Sequence, residues 1–291
     1  MVTVPRTISG TVGSRVRLVL GDNGKQWLLL LNHDDGNRQW QSKDWDAIPD
    51  VVAKQLNNCT SKGRDVKNVD FGPGGAWYIN GEKPDGTGGY SWWGGTTASD
   101  TITEWTNAAG EVQVSFGSGL YGEKAYAIIR GRNGYSLSNS LHASLHTQVK
   151  RINSGRKEIN FIRLFHSNRF FLSDDEGTMW AFGNNTHCEN EVKKTGTIEE
   201  IAIADDDSWV VIRGNSYVAS NGVSRALTNK LSKFFSDQQR WSNQRKDEIR
   251  DARAEIERER LSRERAAQEA LELVERERLA READELVERE R

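Results

Sequence analysis

One pattern recurs five times along this chain, and its recurrence limits the possible folds more than any single residue does. The clearest copy reads Val66-Lys-Asn-Val69-Asp-Phe71-Gly72-Pro73-Gly74-Gly75-Ala76-Trp77-Tyr78-Ile79. Alternating apolar residues end on a bulky side chain, a tight turn follows, and an aromatic residue then leads a second apolar run. Leu18 to Leu29, Val114 to Ile129, Ile159 to Leu172 and Ile198 to Ile212 align on this copy. The anchor residues Leu20, Phe71, Phe116, Leu164 and Ile203 lie 51, 45, 48 and 39 residues apart.

After each aromatic run comes a turn rich in Gly, Asn, Asp or Glu, and then a further aromatic. Asp35-Gly36 precedes Trp40, and Asp85-Gly86 precedes Tyr90 and Trp92. Asn133-Gly134 precedes Tyr135, Glu176-Gly177 precedes Trp180, and Gly214-Asn215 precedes Tyr217. Gly and Asn accept the positive φ of tight hairpin turns, and β-branched and aromatic flanks pack well on a pleated surface. Each unit therefore supplies three to four antiparallel strands, and five such units bury their faces only against one another. The period lies in the range of propeller blades, above that of leucine-rich or ankyrin repeats.

The expected fold is an all-β head over residues 1–235, a β-propeller of five blades, followed by a helical tail over 236–291. The repeats fall near 16–62, 66–108, 111–157, 159–197 and 198–233. Linkers at Ile48–Leu56, Leu137–Leu145 and Val223–Leu231 carry leucine-type residues at helical spacing, which predicts a short helix or loop there; the second and fourth units lack such a segment. A strand near Thr7 to Val12 is expected to complete a blade begun by the last repeat.

From Ser236 onward there is no Gly or Pro, and Ala, Glu, Arg and Leu dominate, so a helix is the only regular structure the composition supports. Ser236-Asp237 offers a capping start. Ile249 and Ile256 are seven apart, as are Leu279 and Leu286, whereas Leu261, Leu271, Leu273 and Val274 leave a single heptad track. Glu-Arg-Glu-Arg blocks starting at Glu257, Glu275 and Glu288 supply ion pairs at helical spacing. A weak coiled coil and a single solvated helix are both open. Either serves as spacer, oligomeriser or partner-binding arm.

Charge separates head from tail. Residues 236–291 hold 14 Lys+Arg and 17 Asp+Glu, leaving 26 and 25 for the first 235. Neither part has the clustered positive charge that phosphate-backbone binding needs, so no nucleic-acid partner is expected. No apolar run reaches membrane-spanning length and no signal-like leader opens the chain, so a soluble, cytoplasmic protein without a membrane span is expected. Two cysteines, Cys59 and Cys188, make neither a disulfide framework nor a zinc pair, in keeping with a reducing compartment. Outside the secretory route the Asn58 and Asn184 sequons carry no weight.

Val69 to Trp77 together with the Leu-x-x-x-Leu linkers resembles tandem-repeat β-propeller proteins of filamentous fungi, over residues 15 to 233. The organisation is similar to that of five-bladed tachylectin-type lectins, in which aromatic-led blades hold sugars between neighbours. The resemblance implies the fold. It carries no sugar site across, because the Pro73-Gly74-Gly75 turn is expected to have no equivalent at Ser167-Asn168 or at Asp205-Asp206-Asp207.

The residues that suggest chemistry each have a simpler structural explanation. His142 and His146 are four apart, but no Glu between them and no third ligand follows, so capping or surface roles are expected. His187-Cys188 is half a metal site at most. Gly117-Ser-Gly119-Leu-Tyr-Gly122 matches a dinucleotide fingerprint in letters, yet it precedes a strand, Lys124 to Arg130, where phosphate binding needs a helix. Asp34-Asp35, Asp174-Asp175-Glu176 and Asp205-Asp206-Asp207 lie in or beside turns, which favour Asp for local reasons. No metal, cofactor or catalytic set is assigned. Trp27, Trp77 and Trp209, with Tyr126 and Phe170, share one repeat position and read as core between blades. Trp40, Trp92, Trp93 and Trp180 follow the hairpin turns and are the candidate ligand-binding residues, with core packing the competing reading. Trp92 and Trp93, as strand neighbours, face opposite sides.

The expected function is that of a non-catalytic binding or scaffold protein, whose propeller surface meets a protein partner and whose tail sets reach or self-association. A carbohydrate-binding propeller is the alternative. A glycoside-hydrolase-like enzyme using the Asp clusters is the second.

Overall fold

The computed structural model describes residues 16–21, 23–33, 38–44, 48–83, 89–96, 98–106, 112–131, 134–155, 157–177, 179–183, 186–194, 198–214 and 216–289. The strand expected near Thr7 to Val12 lies outside these residues, as do Asp34, Asp35, Asp85 and Asn184. Two compact units divide the chain, Met1–Gln238 and Gln239–Arg291.

In the first unit one motif is repeated: three antiparallel strands in sequence order, then a helix. The first repeat comprises β1 (Val16–Leu20), β2 (Trp27–Asn32), β3 (Arg38–Lys43) and α1 (Asp50–Ser61). The second has β4 (Asp65–Gly72), β5 (Ala76–Glu82), β6 (Gly89–Gly94) and α2 (Ser99–Thr106). The third has β7 (Val112–Ser118), β8 (Lys124–Arg130), β9 (Gly134–Leu137) and α3 (Ala143–Ser154). The fourth has β10 (Ile159–Leu164), β11 (Phe170–Asp174), β12 (Met179–Phe182) and α4 (Thr186–Val192). In the fifth, β13 (Ile198–Ile203), β14 (Trp209–Arg213) and β15 (Ser216–Ala219) lead into α5 (Arg225–Arg289).

Strand register explains the anchors. Leu20, Phe71, Phe116, Leu164 and Ile203 stand opposite Trp27, Trp77, Tyr126, Phe170 and Trp209 respectively. Each of these aromatics packs into a different apolar cluster. Four clusters join repeats that follow one another in sequence. The fifth joins the last repeat to the first: Leu18, Trp27 and Leu29 pack there with Val210, Ile212, Leu227, Leu231 and Phe234. Burying one large aliphatic or aromatic side chain contributes about 1.5–3 kcal/mol, so these shared clusters hold the repeats together.

Three sequence expectations change. First, the second and fourth repeats do carry the linking helix, as α2 and α4. Ile102 in α2 with Ala98 just before it, and Cys188 and Val192 in α4, are buried four apart, so a two-turn helix needs only two apolar contacts, too few to stand out as leucine spacing. Second, the C-terminal helix starts at Arg225, and Ser236 lies inside it. Leu227, Leu231, Phe234 and Phe235 bury its first turns against the fifth and first repeats, and the linker expected at 223–231 continues into the tail as one element. Third, the Pro73-Gly74-Gly75 turn has a counterpart. Gly72 (φ −135°, ψ 173°) and Phe165 (φ −134°, ψ 176°) each enter a three-residue 3-10 turn whose middle residue is left-handed, Gly74 at φ 68° and Ser167 at φ 58°. Ser118 Oγ accepts the Ser167 amide at 2.7 Å, and Asn168 Oδ1 accepts the His142 amide at 3.0 Å, which offsets the strain of non-glycine residues there.

Within Gln239–Arg291 the helix is held by short-range ion pairs, among them Arg260–Glu257 at 2.7 Å, Arg250–Asp247 at 3.1 Å and Arg278–Glu275 at 2.6 Å. Each such pair adds about 0.2–0.5 kcal/mol. Ile249, Ile256, Leu261, Leu271, Leu273, Val274 and Leu279 are exposed. No described helix is long and apolar enough to cross a membrane.

Glycine 72 lets β4 approach β7: a Cβ there would overlap the Phe116 side chain. Gly72→Ala is expected to lower unfolding stability by about 1–3 kcal/mol, the usual cost of overpacking, as read by urea denaturation.

Candidate functional site

The first strand of every sheet is an edge: β1, β4, β7, β10 and β13 each pair on one side only. Their unpaired amides and carbonyls are costly if buried alone. Side chains of the preceding repeat meet many of them. Asn68 Oδ1 accepts the Val114 amide at 2.9 Å. Asp70 Oδ2 accepts the Phe116 amide at 3.1 Å and the Ser115 hydroxyl at 2.6 Å. Ser115 Oγ in turn accepts the Leu164 amide at 3.0 Å, and Gln113 Nε2 donates to the Asn160 carbonyl at 3.3 Å.

Charged groups continue the series. Arg163 Nε donates to Glu200 Oε1 at 3.1 Å, and Arg17 Nη1 lies 3.8 Å from the other oxygen of Glu200. Arg17 Nε donates to the Lys67 carbonyl. These contacts therefore link the first repeat to the second, the second to the third, the third to the fourth, the fourth to the fifth and the fifth to the first. Arg17, Asn68, Gln113 and Glu200 stand three residues before their anchors, while Asp70, Ser115 and Arg163 stand one before. With a side-chain period of two, all seven lie on one side of their strands. Arg17 (0% exposed), Asn68 (2%) and Glu200 (4%) are fully buried.

Where the C-terminal ends of these five strands meet, they enclose a cavity of about 390 Å³. Val19, Asp70, Gly117, Arg163 and Ala202, one from each repeat, line it, and His166 and Asp205 stand among the residues around it. Asp70, Arg163 and Asp205 are the charged residues of its lining. Burial pushes the Asp70 carboxyl up to about 6, against the pull of Arg163 and the hydrogen bonds from Ser115, Phe116 and Phe71. For Arg163, burial disfavours the charge, but Glu200 and Asp70 outweigh it and the guanidinium is raised above its ordinary value.

The four tryptophan candidates do not converge. Trp40 and Trp92 pack against the cluster between the first two repeats, Trp93 against that between the second and third, and Trp180 against that between the third and fourth. Trp92 and Trp93 thus face opposite sides of β6. Trp40 Nε1 donates to Asn57 of α1 at 2.9 Å and Trp93 Nε1 to Ser99 of α2 at 3.3 Å. Tyr90 stacks on Trp92 at 6.0 Å under the guanidinium of Arg64.

The described acidic clusters are fastened into turns. Asp206 Oδ1 accepts the Ser208 amide at 2.9 Å and its Oδ2 the Gly24 amide at 3.4 Å, while Asp207 pairs with Arg169. Asp174 is buried and bound to Lys157 at 3.3 Å. His142 caps α3, its Nδ1 accepting the Ser144 amide at 3.2 Å, and His146 meets the Ser138 carbonyl at 3.2 Å. Cys59 and Cys188 are buried, unpaired thiols that burial pushes up to about 11 and about 12. Among the described residues no three His, Cys, Asp or Glu side chains are grouped to hold a metal.

Asp70, Arg163, Arg17 and Glu200 are absent from the sequence candidates. Their signal was present: polar residues one and three places before the anchor, on otherwise apolar strands. Comparison with protein-family models, curated proteins and solved structures finds no match.

The raised carboxyl sets a pH dependence. Asp70 binds its proton more tightly folded than unfolded, so its contribution to stability is fully present below the unfolded value near 3.8 and is lost as pH rises through about 6. The loss is on the order of 2–3 kcal/mol. Stability of the wild type relative to Asp70→Asn, followed by urea denaturation from pH 4 to pH 7.5, is expected to fall by that order across the range.

Proposed function

We propose that the head closes as a five-bladed β-propeller and that the protein is a non-catalytic binding scaffold, taking a protein partner on the face where the first-to-second-strand turns gather. The observation that carries this reading is the β7–β8 turn. Leu120 is 54% and Tyr121 87% exposed there, beside a turn fixed by Gly119 N to the Glu123 carbonyl at 2.8 Å and Leu120 N to the Ser140 carbonyl at 2.9 Å. Tyrosine on a rigid support is the residue class that anchors interfaces. The adjacent Lys124 Nζ donates to the Gly74 carbonyl at 3.3 Å, at the edge of the cavity.

Closure is supported by the cluster and the Glu200–Arg17 contact that join the fifth repeat to the first. On this reading α5 gives reach, or valency by pairing with a second copy, which raises the avidity of a weak head contact. The unpaired buried thiols support a reducing, cytoplasmic setting. The alternative of a sugar-binding propeller draws support from the Tyr90–Trp92 stack, since Tyr90 is exposed and offers a ring face.

Selection of a displayed peptide library on the full chain, run beside a glycan array, tests the reading. Selected peptides are expected to bind saturably and to lose about tenfold or more in affinity to a Leu120→Ser/Tyr121→Ser variant. Peptides indifferent to that variant contradict the reading. Glycan binding lost on Tyr90→Ala decides for the sugar alternative.

A further inference from the structure

Each sheet has a second edge on its outer side. β3, β6, β9, β12 and β15 pair with the middle strand of their own sheet and with nothing beyond it among the described residues. An open edge is a template for an added strand, and proteins guard against this with charged residues or with very short edge strands. β9, β12 and β15 are four residues long, and β3 carries Arg38 and Lys43 at its ends. β6, which reads Gly-Tyr-Ser-Trp-Trp-Gly over Gly89–Gly94, has neither guard: it is six residues long and uncharged. Among the described residues its main chain has no hydrogen-bond partner other than β5.

The strand is also held from both faces. Ser91 Oγ bonds the Tyr78 hydroxyl at 3.0 Å and Asn80 Nδ2 at 2.9 Å, Trp93 Nε1 donates to Ser99, and Trp92 packs against the cluster between the first two repeats. A strand already fixed in extended form loses little freedom when another joins it. At its start Tyr90 stacks on Trp92, and the Arg64 guanidinium lies over the Tyr90 ring at 4.1 Å. Among the described residues Arg64 meets no carboxylate, so its donors remain open beside the edge.

We infer that β6 binds an extended peptide segment of a partner protein by adding it as a fourth strand, with an acidic side chain of that segment on Arg64. In such pairing the main-chain hydrogen bonds supply affinity and the side chains beside the edge supply selection. Arg64 selects for a carboxylate through charge-assisted hydrogen bonds. β6 of a second copy offers the same backbone but no acid to meet Arg64. The inference goes beyond the surface at Leu120 and Tyr121 and does not depend on it, because that surface belongs to the third repeat and β6 to the second.

The probe is a fluorescent acetyl-Thr-Val-Thr-Glu-Thr-Val-Thr-amide, titrated into the full chain by anisotropy beside a form with Gln in place of Glu and a form N-methylated throughout. The probe is expected to bind with a Kd of about 1 mM or below, the Gln form about threefold more weakly and the N-methylated form about tenfold or more weakly. Arg64→Gln is expected to make the Glu and Gln forms bind alike. Saturating probe is expected to slow hydrogen exchange of the Gly89–Gly94 amides in the wild type and to leave those of Arg38–Lys43 unchanged. The Leu120→Ser/Tyr121→Ser variant is expected to bind the probe as the wild type does, so loss of that surface and loss of this edge are read separately. The N-methyl comparison separates the edge from a sugar site at Tyr90, which makes no use of a peptide backbone. No binding, equal binding of the N-methylated form, or protection that misses β6 overturns the inference. So does a dimeric mass for the free chain with β6 already protected, which gives the edge to a second copy. The peptide comparison and the exchange measurement use only the wild-type chain, so the test stands even where a variant fails to fold.

Discussion

The rest of the head depends on how its five edge strands are sealed. A three-stranded sheet leaves a row of backbone amides and carbonyls on its first strand, and burying one of these without a partner costs about 1–3 kcal/mol. Here Asn68, Asp70 and Ser115 accept amides from the next repeat, while Gln113 and Arg17 donate to its carbonyls. The apolar clusters supply most of the attraction between repeats, but they are tolerant of small shifts. Hydrogen bonds to specific edge atoms are not, and so they fix which residue of one strand stands against which residue of the next.

The same arrangement produces the cavity. Polar side chains directed at a neighbouring strand do not fill the space beyond the strand ends, and Gly72 and Gly117 sit where a side chain would collide with Phe116 and with Leu164. Small residues required for close packing thus leave open the volume that Asp70 and Arg163 face. A structural need and a ligand-sized space therefore share one origin. Burial of the Asp70 carboxylate outweighs the pull of Arg163 and is a cost to stability near neutral pH, and costs of this kind persist where a site uses them.

Much of the fold was legible because it is written in periodicity. Five anchors and five aromatics announced five hairpins, and the register pairs them as aligned. Helices α2 and α4 were not legible, since Ile102 or Cys188 and Val192 are too few apolar contacts to mark a helix in so short a segment. Nor was the equivalence of the turns at Pro73 and His166, where proline and glycine at one turn are replaced at the other by hydrogen bonds accepted by Ser118 and Asn168. The candidate site was hidden for a related reason. Tryptophans stand out in a sequence, while an Asp or Arg within a strand reads as a solvent-facing position until the neighbouring strand is known. Trp40 and Trp93, which looked like ligand platforms, direct their ring N–H groups to α1 and α2.

The sealed edges are the central claim, and native-state amide hydrogen exchange tests them most directly. The amides of Val114, Phe116 and Leu164 lie on the edge strands β7 and β10 and donate to side chains of another repeat. They are expected to exchange as slowly as the paired amides of β5 and β8. Exchange of these three at the rate of exposed turn amides such as Tyr121 would contradict the account.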